Sequence, residues 1–273
     1  DDMSENEFLS NDLKLRAKKH DYLFHYTSID SLYKILENKS FKFNRLDLLN
    51  DLNEHKRNNS VEIDYYVLCF SNKKRESIPL WFMYADKCSG IIIKIKNCNI
   101  FENCNVFYKL DDEIKYFENK IISSDKTLKK IISIDKGIIE LTDPELIDVI
   151  YSDDEINREF SKTFHDGGLI FEQIYPILLT GIKGEAWVYE NETRYYVSAS
   201  TLNRMDLREV FYEYNEKFYD ELTIIFNPFI DDNNKKEIKD KVKSLIPEKH
   251  YLKINFIDSD LKNIINPDFL KKF

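Results

Sequence analysis

The chain has 273 residues, 42% of them hydrophobic and 14% aromatic, with only 6 Gly and 6 Pro. That profile fits a globular protein with a sizeable core and excludes disordered, collagen-like and low-complexity classes. A formal net charge of −9 argues against a protein that coats nucleic acid with its whole surface.

The first 21 residues read as a polar N-terminal helix or tail, with no apolar run that could serve as a signal peptide. "YLFHY" (Tyr22–Tyr26) predicts a short buried strand. Ser28 then caps a helix in which Ile29, Leu32, Tyr33 and Leu36 fall at helical spacing. Phe41–Phe43 predicts a second strand, followed by a polar loop, "NRLDLLNDLNEHKRNN", that holds Arg45, Asn50, Asp51 and Glu54. Strands are expected over 65–70 and 90–95, separated by a helix that opens at Pro79 in "PLWFMYAD".

Residues 109–180 carry short helical patterns, "LDDEIKYFENKII" and "PELIDVI", with high charge density, and predict a helical insertion packed on the sheet. "LIFEQIYPILLTGI" is too short and too polar to span a bilayer. Strands are expected again over 192–197, 221–226 and 250–255, with an amphipathic helix in "NNKKEIKDKVKSLI". Strands at both ends with helices between them argue for an α+β fold with a mainly antiparallel sheet, residues 22–273 forming one domain. The four cysteines, Cys69, Cys88, Cys98 and Cys104, lack CxxC spacing and form no Cys/His cluster, so no metal is expected and a reducing, cytoplasmic setting is the plain reading. Neither GxGxxG nor GxxxxGK[ST] occurs.

Three places carry chemistry. In "HYTS", His25 ends a strand beside the hydroxyls of Tyr26 and Thr27. A lone histidine is more often held by a backbone carbonyl than used on a ligand, but strand ends are where polar groups reach a ligand without disturbing the core. Trp81, Phe82 and Tyr84 pack by default, and Tyr84 is the one whose hydroxyl tolerates water. In "KGEAWVYENETRYYV" (Lys183–Val197), a strand from Glu190 onward puts Glu190, Glu192 and Arg194 on one face. A surface ion pair is the plain account of that trio, worth roughly 0–1 kcal/mol. The apolar flanks instead suggest carboxylates withdrawn from bulk water. The spacing also approaches the roughly 5–5.5 Å between the carboxylates of retaining glycosidases.

Taken together and in order, "LFHYTSIDSLYKIL", "NDLNE", "CFS", "LWFMYADKCSGIIIKI" and Trp187–Glu190–Glu192–Arg194 resemble the bacterial domain-of-unknown-function 2971 family over about residues 22–257. That family is similar to the ADP-ribosyltransferase superfamily, and the opening "HYTSIDSLYKIL" resembles the start of DarT-type toxins, which modify DNA. The resemblance implies a split antiparallel sheet and NAD as co-substrate. It implies that His25, with Tyr26 and Thr27, binds a ribose of NAD, that Tyr84 stacks on nicotinamide, that Arg45 meets the NAD phosphates, and that Glu192 or Glu190 is catalytic, with Glu192 first as the second member of the pair.

The function this implies is mono-ADP-ribosyl transfer to an unidentified DNA, RNA or protein acceptor by an intracellular toxin or phage-defence effector, with an antitoxin or sensor protein as a further partner and no membrane. The alternatives are an NAD glycohydrolase on the same fold and a catalytically inactive binding module.

Overall fold

The structure, a computed structural model, describes residues 5–54, 64–110, 113–121, 128–134, 137–153, 161–166, 169–174, 176–201 and 207–266. In chain order, α1 (Glu5–Ala17) precedes β1 (Tyr22–Thr27), α2 (Ile29–Asn38), β2 (Ser40–Arg45), β3 (Asp64–Ser71), α3 (Ile78–Tyr84) and β4 (Ile91–Lys96). There follow β5 (Val106–Leu110), β6 (Glu113–Tyr116), β7 (Glu118–Ile121), β8 (Leu128–Ile134), β9 (Gly137–Leu141), β10 (Glu145–Asp148), β11 (Ile150–Tyr151), β12 (Ser161–Asp166) and β13 (Leu169–Ile174). The last third holds α4 (Pro176–Gly181), β14 (Ile182–Lys183), a 3-10 turn (Glu185–Glu190), β15 (Glu192–Thr201), β16 (Glu209–Glu213), β17 (Thr223–Phe226), α5 (Asp232–Leu245), α6 (Glu248–Tyr251) and β18 (Asn255–Asp258).

Ser28 caps α2 by accepting from the Ser31 amide at 3.1 Å, and Lys39 ends the helix in the left-handed region. The buried face of α2 (Leu32, Ile35, Leu36) joins Leu23, Phe41, Phe43 and Ile91, Ile93 and Ile95 of β4 in the largest apolar core, to which α5 adds Ile238 and Val242. The α+β architecture with a mainly antiparallel sheet follows the expectation from sequence. Fourteen of the described strands join one sheet, and within it only β17 and β18 pair in parallel.

β3 is the branch point. On one edge, β15 pairs along its whole length, from Glu192 opposite Ser71 to Ala199 opposite Asp64. The other edge is shared: β1 meets it through Phe24 and Ser71, and β2 through Asn44–Val67 and Arg45–Tyr66. Leu68, Cys69 and Phe70 lie between those two contacts. The sheet therefore forks, with β1, β4 and β17 on one branch and β2, β16 and β5 on the other. β3 is buried on both faces. Tyr66, Leu68 and Phe70 enter the main core, and Tyr65, Val67 and Cys69 pack against Leu13, Ile147 and Leu179 behind it.

Two expectations are corrected. Among its described residues, the region 109–180 is not a helical insertion: most of them form the strands β5 to β13, and the only described helix is α4, which begins at Pro176. Short apolar runs of about four to eight residues cannot be told strand from helix by periodicity alone, and here an unfilled sheet edge decides. The outer edge of β15 presents unpaired amides and carbonyls, which β10 and β9 complete through Glu145–Tyr196 to Asp148–Thr193 and Ile139–Thr201 to Leu141–Ala199. The strand expected over 250–255 starts instead at Asn255, because Pro247 opens a helical turn in which His250 stacks on Tyr219 at 4.1 Å. No helix among the described residues is long and apolar enough to cross a membrane.

Candidate active site

The fork opens a cavity of about 540 Å³ bordered by His25, Tyr26, Thr27, Tyr84, Glu190 and Glu192. These six residues come from β1, α3, the turn leading into β15 and the first residue of β15, and the structure brings them together. Glu192, Ser71 and Phe24 form one row across three adjacent strands, so the Glu192 backbone lies two strand spacings, about 10 Å, from β1. His25 points to the core face of the sheet, with its ring 5.8 Å from that of Phe41 and 5.3 Å from that of Phe70. Glu192 points to the opposite face with Arg194. Only the gap between the branches lets both border one cavity.

The His25 Nδ1–H donates to the Cys69 carbonyl at 2.9 Å. Burial pushes its pKa down, so the ring is neutral, and the carbonyl fixes the tautomer that leaves Nε2 as an acceptor. Among the described residues Nε2 has no partner, which suits it to a ligand hydroxyl. Tyr26 packs edge-on against Trp81 and accepts from the Ser77 amide at 3.1 Å. Its ring borders the cavity, but its hydroxyl serves the start of α3. Thr27 is buried where β1 ends against Gly90, whose missing side chain is obligatory: a Cβ there would meet the Thr27 carbonyl oxygen at 2.2 Å.

Tyr84 ends α3. The chain then makes a left-handed turn, with Asp86, Lys87 and Cys88 at φ 48°, 51° and 68°, before β4. Three consecutive side-chain-bearing residues in that region are held by bonds such as Cys88 N–H to the Trp81 carbonyl at 2.9 Å and Gly90 N–H to the Ala85 carbonyl at 2.8 Å. The Tyr84 hydroxyl donates to Glu190 Oε1.

Glu190 is not on the strand. It closes the 3-10 turn, and Asn191, at φ 43°, reverses the chain into β15. The two carboxylates meet nonetheless, because Lys183 bridges them: its Nζ lies 2.6 Å from Glu190 Oε2 and 3.2 Å from Glu192 Oε2. Glu192 is also gripped by Arg194, which donates from Nε at 2.9 Å and from Nη2 at 2.6 Å. The fully buried guanidinium spends Nη1 on Glu54 Oε1 at 2.5 Å and on the Thr180 carbonyl at 2.9 Å. The Glu192 amide donates to the Tyr151 hydroxyl at 2.8 Å. Three buried carboxylates thus face two buried cations.

This arrangement separates the two glutamates electrostatically. Burial alone pushes the Glu192 pKa up, but Arg194 and Lys183 outweigh it and hold the carboxyl far below the usual range. Glu190 goes the other way. Burial and the charge of Glu192 raise its pKa against the pull of Lys183 and the Tyr84 hydroxyl. The Lys183 ammonium, which burial disfavours, is kept charged by Glu192 and Glu54.

Arg45 does not line the cavity. It pairs with Asp47 at 2.7 Å and reaches the Leu207 carbonyl, while its neighbour Asn44 borders the cavity in its place. The alternation of β2 explains the difference, since adjacent residues face opposite ways. Cationic side chains reach the cavity instead from α2, at Lys34, and from β2, at Lys42, which pairs at 3.2 Å with Glu209 at the same border. Lys183 and Glu54 escaped the sequence reading. A lone lysine seven residues before Glu190 carries no local signal, and Glu54 reads as part of a solvated loop although it is 0% exposed. No protein-family model matches the chain, and no curated protein or solved structure is significantly similar to it.

Proposed function

We propose that the forked sheet is an ADP-ribosyltransferase-like split sheet and that the protein is an NAD-dependent mono-ADP-ribosyltransferase acting as an intracellular toxin or phage-defence effector. One observation carries this reading: a single cavity collects a neutral histidine whose Nε2 has no partner among the described residues, a tyrosine about one-third exposed (36%) and two carboxylates of opposite pKa shift. In the reaction, the bond between nicotinamide and ribose breaks, the electron pair leaves with nicotinamide, and positive charge develops on the ribose. A carboxylate beside that carbon stabilises the charge as it forms. The acceptor's lone pair then bonds to the same carbon, and its proton passes to a base.

Glu190 fits the place beside the ribose better than Glu192. Its partners are one ammonium and one phenol, whereas both oxygens of Glu192 are taken by Arg194 and Lys183. Glu192 then serves as a fixed anion that keeps Lys183 and Arg194 in place. His25 Nε2 accepts from a ribose hydroxyl, and the Tyr84 ring lies against nicotinamide. Lys34 and Lys42 supply positive charge for the diphosphate, the role expected of Arg45.

The test is to incubate the protein with NAD labelled in its adenylate half and a cell lysate. Nicotinamide release with label retained on a macromolecule is the expected result. Label found only in free ADP-ribose would make the protein an NAD glycohydrolase. Absence of nicotinamide release overturns the enzymatic reading and leaves a binding module.

A further inference from the structure

The ionic cluster under the cavity contains a buried carboxylate oxygen that accepts no hydrogen bond from the described residues. Glu54 is fully buried and its Oε1 accepts from Arg194, but its Oε2 has no hydrogen-bond partner among the described residues. An unpaired buried carboxylate oxygen keeps its whole desolvation penalty, so such an atom needs a reason. The Lys183 Nζ stands 4.0 Å away, hydrogen-bonded to Glu190 and Glu192, with the Trp187 ring 4.9 Å from it. An ammonium has three donors on a flexible stem, and two of them are engaged here. A shift of about 1 Å would bring Nζ within hydrogen-bond distance of Glu54 Oε2.

We propose that Lys183 has two seats, one on Glu190 and one on Glu54, and that Glu54 is a positioning residue that draws the ammonium off Glu190 when substrate engages that carboxylate. The role in turnover rests on the reading of the cavity as an NAD site; the two seats themselves do not. With Lys183 on Glu190, the negative charge meant for the ribosyl cation is already cancelled. With Lys183 on Glu54, Glu190 loses its hydrogen bond to the ammonium and feels that charge from farther away, keeping the Tyr84 hydroxyl. Glu192 lies beside Lys183 already, and Arg194 bridges Glu192 to Glu54, so the move transfers no charge out of the buried cluster.

The crystal structure of the ligand-free Glu190→Gln protein tests the second seat without NAD. Removing the charge at position 190 mimics its engagement by substrate. Nζ is expected within about 3.2 Å of Glu54 Oε2. An ammonium that stays on the residue-190 amide, with Glu54 Oε2 still unpaired, overturns the proposal. A kinetic cycle tests its use in turnover. Glu54→Gln keeps an acceptor for Arg194 but turns a second position from acceptor to donor, and kcat should fall roughly 10–100-fold, the scale of a charge misplaced by about 1 Å, with KM for NAD unchanged. In a Lys183→Gln background, where there is no ammonium to draw away, Glu54→Gln should have no further effect on kcat. An equal loss in both backgrounds means that Glu54 is only structural and overturns the proposal. If Glu54→Gln does not fold, the Glu190→Gln structure decides alone. If wild-type protein releases no nicotinamide, the proposed function fails while that structure still decides the two seats.

Discussion

Replacing Glu192 by glutamine and replacing Glu190 by glutamine are the same chemical change two residues apart, and the structure predicts opposite consequences. Glu192→Gln removes the carboxylate that holds Arg194 through two hydrogen bonds and also touches Lys183. The fully buried guanidinium keeps Glu54, the Thr180 carbonyl and at most one acceptor at position 192, and it loses the neighbouring charge. Removing one partner of a buried ion pair costs about 3–5 kcal/mol. At about 2–4 °C per kcal/mol for a protein of this size, the melting temperature at neutral pH should fall by about 6–20 °C. The sign with pH follows from the depressed pKa of Glu192. Its contribution is present above the unfolded carboxyl pKa and is lost as pH falls toward the lower folded value, so the gap between wild type and variant should narrow in acid.

Glu190 has a raised pKa, so its ionised form already works against the fold, and Glu190→Gln should be neutral or stabilising at pH 7. Its loss should appear in catalysis, with kcat for nicotinamide release down by roughly 10²–10³. Thermal melts at pH 7 and pH 4, with nicotinamide release measured on each folded variant, give all four quantities. A Glu192→Gln protein as stable as wild type would refute the electrostatic argument. A folded Glu190→Gln protein with undiminished release would place the chemistry elsewhere.

Other outcomes follow from the same geometry. The acid limb of the kcat/KM profile, which reports the free enzyme, should lie above the ordinary carboxyl pKa, because Glu190 must be ionised to act and its pKa is raised; the limb should vanish in Glu190→Gln, and its persistence there would exclude Glu190 as its source. Lys34→Ala with Lys42→Ala should raise KM for NAD and flatten its dependence on salt, whereas Arg45→Ala should leave both unchanged; titrations at two ionic strengths separate the cases. Gly90→Ala drives a methyl group into the Thr27 carbonyl, and chemical denaturation should show a loss of about 1–3 kcal/mol or more.

Much of the fold was legible locally. Ser28 before the Ile29–Leu32–Tyr33–Leu36 stripe marks a capped helix whatever surrounds it, and the β-branched and aromatic runs at Tyr65–Phe70 and Ile91–Ile95 leave little but buried strand. Such signals depend on neighbours within a turn or a pleat. Residues 109–180 did not yield to that reasoning, because Glu145–Asp148 satisfies its backbone against β15, about fifty residues later, and no local pattern encodes an available edge.

The candidate site divides along the same line. Its residue types were visible: His25 at a strand end, Tyr84 on an aromatic helix, and Glu190 and Glu192 among apolar neighbours. Their convergence was not, because it depends on β1 and β2 sharing one edge of β3 and leaving Leu68–Phe70 between them. Nor was the difference between the two glutamates. A carboxylate's charge state is set by the cations within a few ångströms, and those that matter, Lys183 and Arg194, both reach Glu192 in a cluster completed by Glu54, about 140 residues before Arg194. Sequence supplied the ionisable groups; the low-dielectric packing that pushes their pKa values apart exists only in the folded chain.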